Sequence, residues 1–286
     1  MASDGTDLGT RMKAYEAATG SILPRYLPMI VRVDGRAFHT LLRGADKPYD
    51  EVVAEYMGYV AQALCAEIDG AVFAYQQSDE VSVLACAYTD FRTQPWFDGR
   101  VQKIASISAA IATQAFANYA DVVGLLRSGQ FDARVFALPN AVEVANYFAW
   151  RQRDATRNSK IMTARAHFSH NEIQGLNGLE LEEKLLRERG ITWDHYPEAF
   201  RYGQVCERQE IDAVSVRWRT KAAPMMSAAP EGWLAQTIPP LPSFEESVAT
   251  LTVEPGLPTG VAVEAVAKEL FPPGVLRDLH HSEYHG

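Results

Sequence analysis

The sequence predicts an α+β fold: a ferredoxin-like (βαββαβ) antiparallel sheet with helices on one face, followed by a helical C-terminal extension. The first observation is the order of patterns in residues 1–139, which runs strand, helix, strand, strand, helix, strand. That order is typical of the split βαβ arrangement of ferredoxin-like sheets. The second observation is that residues 140–221 carry mainly helical patterns, one of which ends at Gly190.

Local signals define the individual elements. Tyr49–Glu67 has apolar residues at helical spacing and follows Pro48, which is favoured in the first turn of a helix. Asn140, with Glu143 three residues later, resembles a capping box and predicts the start of a later helix. We expect strands at Met29–Asp34, Ala71–Gln76, Glu80–Cys86 and Phe131–Leu138, and further helices at Leu8–Thr19, Val101–Tyr119, Leu179–Arg189 and Val261–Leu270.

Composition divides the chain into three predicted regions. Residues 1–139 should form the ferredoxin-like domain, which the family resemblance given below makes a palm-like catalytic domain, and residues 140–221 a helical region that completes the core. Residues 222–286 hold nine of the fifteen prolines, and eight acidic residues against two basic ones, so their role is left unassigned. Because the net charge is −9, the first 221 residues carry only −3. Five basic residues between positions 151 and 165 predict a local basic surface, so the overall charge does not exclude a nucleic-acid partner.

Composition and cysteine content favour a soluble, cytoplasmic protein. Hydrophobic residues make up 47% and charged residues 22% of the chain, as in ordinary globular proteins. No apolar run is long enough to span a membrane, and the polar residues 2–7 do not resemble a secretory signal. Cys65, Cys86 and Cys206 form no CxxC motif and are odd in number. We therefore expect reduced thiols and no membrane partner.

Two aspartates lie at the tips of apolar runs, Asp34 at the end of the first strand and Asp79 just before the third. In the predicted sheet the third strand lies antiparallel between the first two, so these two positions meet at one edge. Mg²⁺ prefers a few carboxylates together with phosphate oxygens and water. Asp34, Asp79 and the carbonyl of Gly35 therefore predict a site for two Mg²⁺ ions that bind a triphosphate. The alternative is that both aspartates are ordinary turn residues.

Residues beside the aspartates extend this candidate site. Glu80 should point to the opposite side of the strand from Asp79, so it is either a third catalytic carboxylate or an outer, structural one. Arg36 to His39 offer backbone N–H groups that could bind phosphates. Phe38 is equally expected in the core, and His39 as a hydrogen-bonded packing residue.

Three cations are candidates for contacts with the phosphates. Arg100 and Lys103 lie at the head of a predicted helix, where the helix N-terminus itself attracts anions. Lys47 precedes the second helix. The alternative for each is a solvated surface charge.

The segment Trp150–Ser159 mixes arginines, amides and hydroxyls around one aromatic residue. This composition is typical of contact with a nucleic-acid backbone and a stacked base. An equally weighted alternative is a solvated helix face with Trp150 turned inward. His167 and His170 could bind a metal by their spacing, but no cysteine or carboxylate partner is evident, so RNA contact or surface polarity is favoured. The predicted RNA-binding residues are Arg151, Arg153, Arg157, His167 and His170.

At these segments the chain resembles the tRNA-histidine guanylyltransferase family, which extends RNA in the 3′-to-5′ direction. The resemblance covers about residues 8–203. The matching segments are Arg32–His39, Lys47–Asp50, Tyr75–Glu80, Phe131–Phe136, Trp150–Ser159 and Gly190–Asp194.

This resemblance implies a palm fold, Mg²⁺ at the two aspartates and Gly35, and tRNA as partner. It implies that ATP first activates the tRNA 5′-phosphate and that the 3′-hydroxyl of GTP then displaces AMP. It further implies a homodimer or a homotetramer built as a dimer of dimers. The implied nucleotide contacts are Asp34, Gly35, Arg36, Ala37, Phe38, His39, Lys47, Ser78, Asp79, Arg100, Lys103 and Asn158.

One departure from the family pattern concerns substrate choice. Eukaryotic members carry a His-Ile-Asn-Asn-Leu-Tyr-Asn stretch where this chain reads Ala155–Ser159. This departure is typical of the bacterial and archaeal "like" branch and favours repair of 5′-truncated tRNAs over guanylylation of tRNA-His. Two alternatives are a palm-fold nucleotide cyclase or signalling-nucleotide synthase, and a catalytically inactive RNA-binding module.

Overall fold

The computed structural model describes residues 7–88, 93–122, 129–211, 216–227 and 232–240. The chain divides into two units, Met1–Ala87 with Gln94–Pro240, and Tyr88–Thr93 with Leu241–Gly286. The strands and helices described below all belong to the first unit. The strands are β1 (Met29–Gly35), β2 (Ala71–Gln77), β3 (Glu80–Ala85), β4 (Phe131–Ala137), β5 (Gln204–Glu210) and β6 (Val216–Ala222). The helices are α1 (Leu8–Ala17), α2 (Phe38–Leu41), α3 (Glu51–Glu67), α4 (Val101–Val122), α5 (Ala141–His167), α6 (His170–Ile173), α7 (Gly178–Arg189), α8 (Glu198–Tyr202) and α9 (Trp233–Thr237).

The strands form one antiparallel sheet in the order β4-β1-β3-β2-β5-β6. Its first four members have the strand order of a ferredoxin-like sheet, so the predicted α+β palm-type fold is confirmed. As predicted, β3 lies between β1 and β2. In the β1–β3 register, Asp34 is opposite Glu80.

Side chains alternate between the two faces of the sheet. On one face, Val31 and Val33 of β1 join a core with Met57 of α3 and Ile104 of α4, all of them fully buried. On the opposite face, Phe148 of α5 meets the β2 ring of Phe73 at 4.6 Å between ring centroids. The two helices of the ferredoxin-like unit therefore cover one face, as predicted, whereas α5 from the C-terminal extension covers the other.

The cap predicted at Asn140 is confirmed, whereas α3 begins at Glu51, two residues later than predicted. The side chain of Asn140 accepts a hydrogen bond from the N–H of Glu143 at 2.9 Å, and α5 continues from there for 27 residues. Asp50 caps α3 by accepting from the N–H of Val53 at 3.1 Å. Gly190 ends α7 in the left-handed conformation, with φ of 66°.

The extension is not purely helical, because β5 and β6 add two strands to the palm sheet. The sequence pattern did not reveal them: in β5 only Val205 and Cys206 are buried, and its last three residues are exposed polar ones. Among the described residues no helix is long and apolar enough to cross a membrane. The predicted boundaries at residues 139 and 221 stay predictions. The predicted helix Val261–Leu270 and most of the acidic segment lie outside the described residues.

Candidate active site at the end of the central strands

The structure brings the two predicted aspartates together at the end of β1 and the start of β3. Asp34 is the penultimate residue of β1, and Asp79 immediately precedes β3. The N–H of Gly35 donates to the carbonyl oxygen of Asp79 at 3.0 Å. Ser78 makes the turn possible by adopting a left-handed conformation with φ of 49°. The strand order thus joins residues that are forty-five positions apart in the sequence.

The electrostatics at this point favour a bound cation. Burial raises the pKa of Asp79, and the negative charge of Asp34 raises it further, although hydrogen bonds to its own backbone and to Ser78 oppose the shift. The Asp34 side chain is about a third exposed, at 35%, and therefore accessible from solvent. A cation between the two carboxylates would relieve their mutual repulsion.

The donor set fits Mg²⁺ better than a metal that needs an all-protein cage. Among the described residues no group of three or more His, Cys, Asp or Glu side chains could hold a metal ion. Two carboxylates and the carbonyl of Gly35 are hard oxygen ligands, and Mg²⁺ usually completes its coordination with water and phosphate oxygens. Asp34, Gly35 and Asp79 would therefore hold Mg²⁺ with water, and with the phosphate oxygens of a nucleotide when one is bound.

Gly35 also shapes the turn that follows β1. A Cβ atom at Gly35 would lie 2.4 Å from Cδ2 of Phe38, so only glycine allows this approach. Phe38 is a core residue, as one of its two interpretations expected: it is 2% exposed and meets the rings of Phe116 and Phe131 edge-on at 5.2 and 5.1 Å. Ala37, with φ of 56°, starts α2 in the left-handed conformation.

This turn presents backbone donors beside the carboxylates. Within the part of the chain that the structure describes, the N–H groups of Ala37, Phe38 and His39 donate to no backbone oxygen. Consecutive free N–H groups in such a turn form an anion-binding concavity. His39 opposes the raised pKa of Asp79 through its electrostatic interaction with that carboxyl, so its side chain lies near the carboxylates. Arg36 is held beside the turn by its hydrogen bond to the side chain of Gln130, at 3.2 Å.

The three predicted phosphate-binding cations do not lie together. Lys47 is exposed in the connection from β1 to α3, at the same end of the sheet as the aspartates. Arg100 and Lys103 lie at the start of α4, where the N–H of Val101 bonds to Ser21 ahead of β1. The α4 helix then runs the length of the sheet toward β4. Within one chain, Arg100 and Lys103 are therefore at the far end from Asp34, and the expectation that they face the site is wrong for a single chain.

Glu80 and Arg151 form a buried ion pair next to the aspartates. Nε and Nη2 of Arg151 both donate to the Glu80 carboxylate at 2.7 Å, and Nη2 of Arg32 lies 2.9 Å from it. Burial raises the pKa of Glu80, while Arg151 and Arg32 oppose that shift. Glu80 therefore has the outer, structural position and not that of a third ligand. Arg151 is only 6% exposed, so its predicted RNA contact is wrong.

The sequence interpretation did not include Arg32. Its Nη2 lies 3.2 Å from Oδ2 of Asp34 as well as 2.9 Å from Glu80. The available signal was the strand period, since Arg32 and Asp34 are two residues apart on one strand and share a face. The sequence therefore offered Arg32 as a residue that could orient the carboxylate of Asp34.

The outer face of α5 keeps the other predicted RNA-binding residues accessible. Arg153 and Arg157 are exposed, although Nη2 of Arg157 pairs with Asp154 at 2.6 Å. Trp150 is 53% exposed, so the interpretation that turned it inward is wrong. Asn158 is exposed two turns after Arg151, and its amide donates to Asp154 at 3.4 Å.

The two predicted histidines lie at the far end of α5. His167 is the last residue of α5 and is half-buried, whereas His170 begins α6 and is exposed. Neither belongs to a metal-binding group among the described residues. RNA contact at both stays a prediction.

Comparisons with known proteins agree on one family. Residues 9–139 match the family model described as Thg1, tRNAHis guanylyltransferase. A solved bacterial tRNA(His) guanylyltransferase (Thg1)-like protein in complex with ATP is 39% identical, with a TM-score of 0.74, over 81% of this chain and 99% of that one. Another, in complex with GTP, is 35% identical with a TM-score of 0.65, over 76% and 92%. The tRNA(His) guanylyltransferase of Schizosaccharomyces pombe is 28% identical over 220 residues, which are 70% of this chain and 80% of the relative.

Proposed function

Since the chain belongs to the tRNA(His) guanylyltransferase (Thg1) family of nucleotidyltransferases, we propose that it is a Mg²⁺-dependent 3′-to-5′ nucleotidyltransferase acting on the 5′ end of tRNA. The observation that carries the proposal is that Asp34, near the end of β1, and Asp79, just before β3, meet at one end of the sheet, where the N–H of Gly35 donates to the carbonyl oxygen of Asp79. Both acids are present at the end of a palm-type sheet, which disfavours an inactive RNA-binding module. The similar bacterial structures, solved with ATP and with GTP, support nucleoside triphosphates as substrates.

The proposed reaction has two steps. A tRNA 5′-phosphate oxygen attacks the α-phosphorus of ATP. The bond from that phosphorus to the oxygen that bridges it to the β-phosphate breaks, pyrophosphate is released, and the tRNA carries an adenylylated 5′ end. The 3′-hydroxyl of GTP then attacks the tRNA 5′-phosphorus, loses its proton and displaces AMP. Each step exchanges one phosphoryl linkage for another and needs no redox partner. Addition to an RNA 5′ end is therefore chemically complete with ATP, GTP and RNA alone.

The residues of the site divide this work. Asp34, Gly35 and Asp79 would hold Mg²⁺, which supplies charge neutralisation on the phosphates and activation of the attacking oxygen. The N–H groups of Ala37, Phe38 and His39 bind phosphate oxygens in the turn after β1. Lys47, at the same end of the sheet, adds an exposed positive charge. The exposed arginines of α5 contact the RNA backbone, and Trp150 offers a ring for a stacked base.

We further propose that repair of 5′-truncated tRNA is the main activity. The support is the segment Ala155–Ser159, which departs from the eukaryotic pattern. Two of its positions are packing positions: Ala155 is 5% and Ser159 2% exposed, and the indole N–H of Trp193 donates to Ser159 Oγ at 3.1 Å. The difference from the eukaryotic pattern therefore includes residues that pack beneath α5 as well as residues on its surface.

A single assay tests the function. Protein, Mg²⁺, ATP and labelled GTP are incubated with intact tRNA and with tRNA that lacks its first nucleotide. We expect an extended RNA, formed faster from the truncated tRNA. Asp34→Asn and Asp79→Asn should each lower the rate by about two or more powers of ten, since both remove transition-state stabilisation. Asp98→Asn is the matched control, because Asp98 is an exposed aspartate beside Arg100, at the far end of the sheet.

Three results would contradict the proposal. Near-wild-type extension by Asp34→Asn or Asp79→Asn would remove the metal assignment. A cyclic or oligonucleotide product from triphosphates alone, with no extended RNA, would favour the cyclase alternative. Faster addition to intact tRNA-His than to truncated tRNA would overturn repair as the main activity.

A further inference from the structure

We infer that Arg151 is a positioning residue that fixes the Asp34 carboxylate through Glu80 and Arg32. The inference deepens the proposed function and rests on it at one point, that Asp34 binds a divalent cation. It concerns the residue that the sequence assigned to RNA contact and that the structure buries.

A continuous series of contacts leads from α5 to the candidate metal site. Arg151 grips the Glu80 carboxylate with two nitrogens, both at 2.7 Å. Glu80 in turn lies 2.9 Å from Nη2 of Arg32, and the same nitrogen lies 3.2 Å from Oδ2 of Asp34. One guanidinium nitrogen is therefore shared between Asp34 and Glu80. Arg32 can orient Asp34 only while Glu80 stays in place.

The geometry of Arg151 leaves it no other role. A planar guanidinium that binds a carboxylate with two parallel hydrogen bonds fixes its orientation, which a lysine cannot do. The remaining Nη1 lies 3.5 Å from Asp154, and the ring of Trp150 covers the guanidinium at 4.7 Å. Two of its five N–H donors bond to Glu80, Nη1 faces Asp154, and the residue is only 6% exposed, so an RNA phosphate has little access to it.

Removing Arg151 should disturb Asp34 in a defined way. Glu80 is buried, with 7% of its side chain exposed, and among the described residues Arg32 would be its only cation within the ion-pair distance. An unpaired buried carboxylate is costly, so Glu80 would draw Arg32 away from Asp34. Asp34 would keep its charge but lose its orientation. Partners that orient metal ligands in this manner typically contribute about 10- to 100-fold to metal affinity or activity.

The test measures cation binding directly, without catalysis. Mn²⁺ is titrated into the full chain and free Mn²⁺ is followed by electron paramagnetic resonance. The variants are Arg151→Met, Arg151→Lys and Asp34→Asn, with Arg165→Met as the matched control because Arg165 is an exposed arginine of the same helix. We expect Arg151→Met to weaken binding about tenfold or more, Arg151→Lys to restore it only partly, and Arg165→Met to match the wild type.

Thermal unfolding of each variant separates positioning from loss of fold. If Arg151→Met does not fold, Glu80→Gln/Arg151→Met removes both buried charges and takes its place. In that variant Arg32 has lost the Glu80 carboxylate that holds it in place, so Asp34 again loses its orientation and the same direction of change is expected. A folded variant of either kind with wild-type Mn²⁺ affinity, while Asp34→Asn loses binding, overturns the inference and leaves the proposed function standing. Wild-type Mn²⁺ affinity in Asp34→Asn overturns the proposed metal site itself, and the inference with it.

Discussion

Gly35 lies between the two aspartates and under the ring of Phe38. Gly35→Ala should destabilise the protein by about 1–3 kcal/mol, because the added methyl group would lie 2.4 Å from the ring and must displace it. The same displacement moves the turn that carries the free N–H groups, so nucleotide addition should fall as well. Urea unfolding and the extension assay measure the two effects. Gly178→Ala is the control, since its Cβ would meet only Lys160 Cδ at 3.4 Å. Equal effects of both substitutions would contradict the role of Gly35.

Asp79→Asn should abolish activity and yet stabilise the metal-free protein at neutral pH. Burial and the charge of Asp34 raise the pKa of Asp79 in the folded state above its ordinary value of about 3.9. Well below that value Asp79 is protonated in both the folded and the unfolded wild type, so the variant gains no stability over it. As the pH rises through the raised pKa, the folded wild type must ionise a buried carboxyl, so it loses stability relative to the variant. Urea unfolding with a chelator between about pH 4 and pH 8 measures the difference; a difference that shrinks with rising pH would contradict it.

The placement of single residues could be predicted where it depended on position along a strand. Asp34 and Asp79 were expected to meet because each lies at a strand end and the order of the strands brings those ends together. The role of Arg151 was not, because its partner Glu80 is seventy-one residues away and on another element. Burial of a charge depends on such a partner, and a local composition rich in arginine indicates only that the segment is basic.

At the scale of elements, α5 has two functional sides. Its inner side carries Arg151 and Gln152, which are buried, whereas Arg153 and Arg157 are exposed on its outer side. The helical period explains why neighbours in a basic run have different surroundings. The strands β5 and β6 were missed for the opposite reason: the pairing of β5 with β2 and of β6 with β5, and not their own apolar pattern, places them in the sheet.

The outer side of α5 should account for part of the salt dependence of RNA binding. Arg153→Met and Arg157→Met should each weaken binding across RNA sequences and lower the slope of log affinity against log salt by about one. Titrations at several salt concentrations measure the slope. Arg187→Met is the control, because Arg187 is a similarly exposed arginine on α7. An unchanged slope for both α5 variants would place the RNA elsewhere on the chain.

Trp150 should contribute by stacking. Trp150→Ala should cost about 1–3 kcal/mol of affinity for single-stranded RNA, because a half-exposed indole offers a face to any base. The salt slope should stay unchanged, since no charge is removed. A Trp150→Phe variant keeps a ring and should recover part of the affinity. Equal affinities of the Ala variant and the wild type would contradict stacking.

At the scale of the whole molecule, the fold determines which charges can act together. The palm sheet was predictable because two helices of clear period lie among the first four strands of the chain, in the order strand, helix, strand, strand, helix, strand. The placement of Arg100 and Lys103 was not, because it depends on the direction in which α4 crosses the sheet. The predicted homodimer or homotetramer stays a prediction.

The described contacts of the candidate site all lie within residues 7–240, which gives a test of the acidic segment. A chain that ends at Pro240 should fold and retain nucleotide addition, because β6 still pairs with β5 and the N–H of Met226 still donates to Gln152 at 2.7 Å.

Residues 241–286 hold seven acidic and two basic residues, so their removal changes the net charge from −9 to −4. RNA binding at low salt should therefore become tighter, and the gain should fade as salt screens the charge. A chain that ends at Ile211 is the control: it lacks β6 and the Met226 contact and should unfold at lower temperature. If the chain ending at Pro240 folds but adds no nucleotide, residues beyond 240 belong to the catalytic machinery.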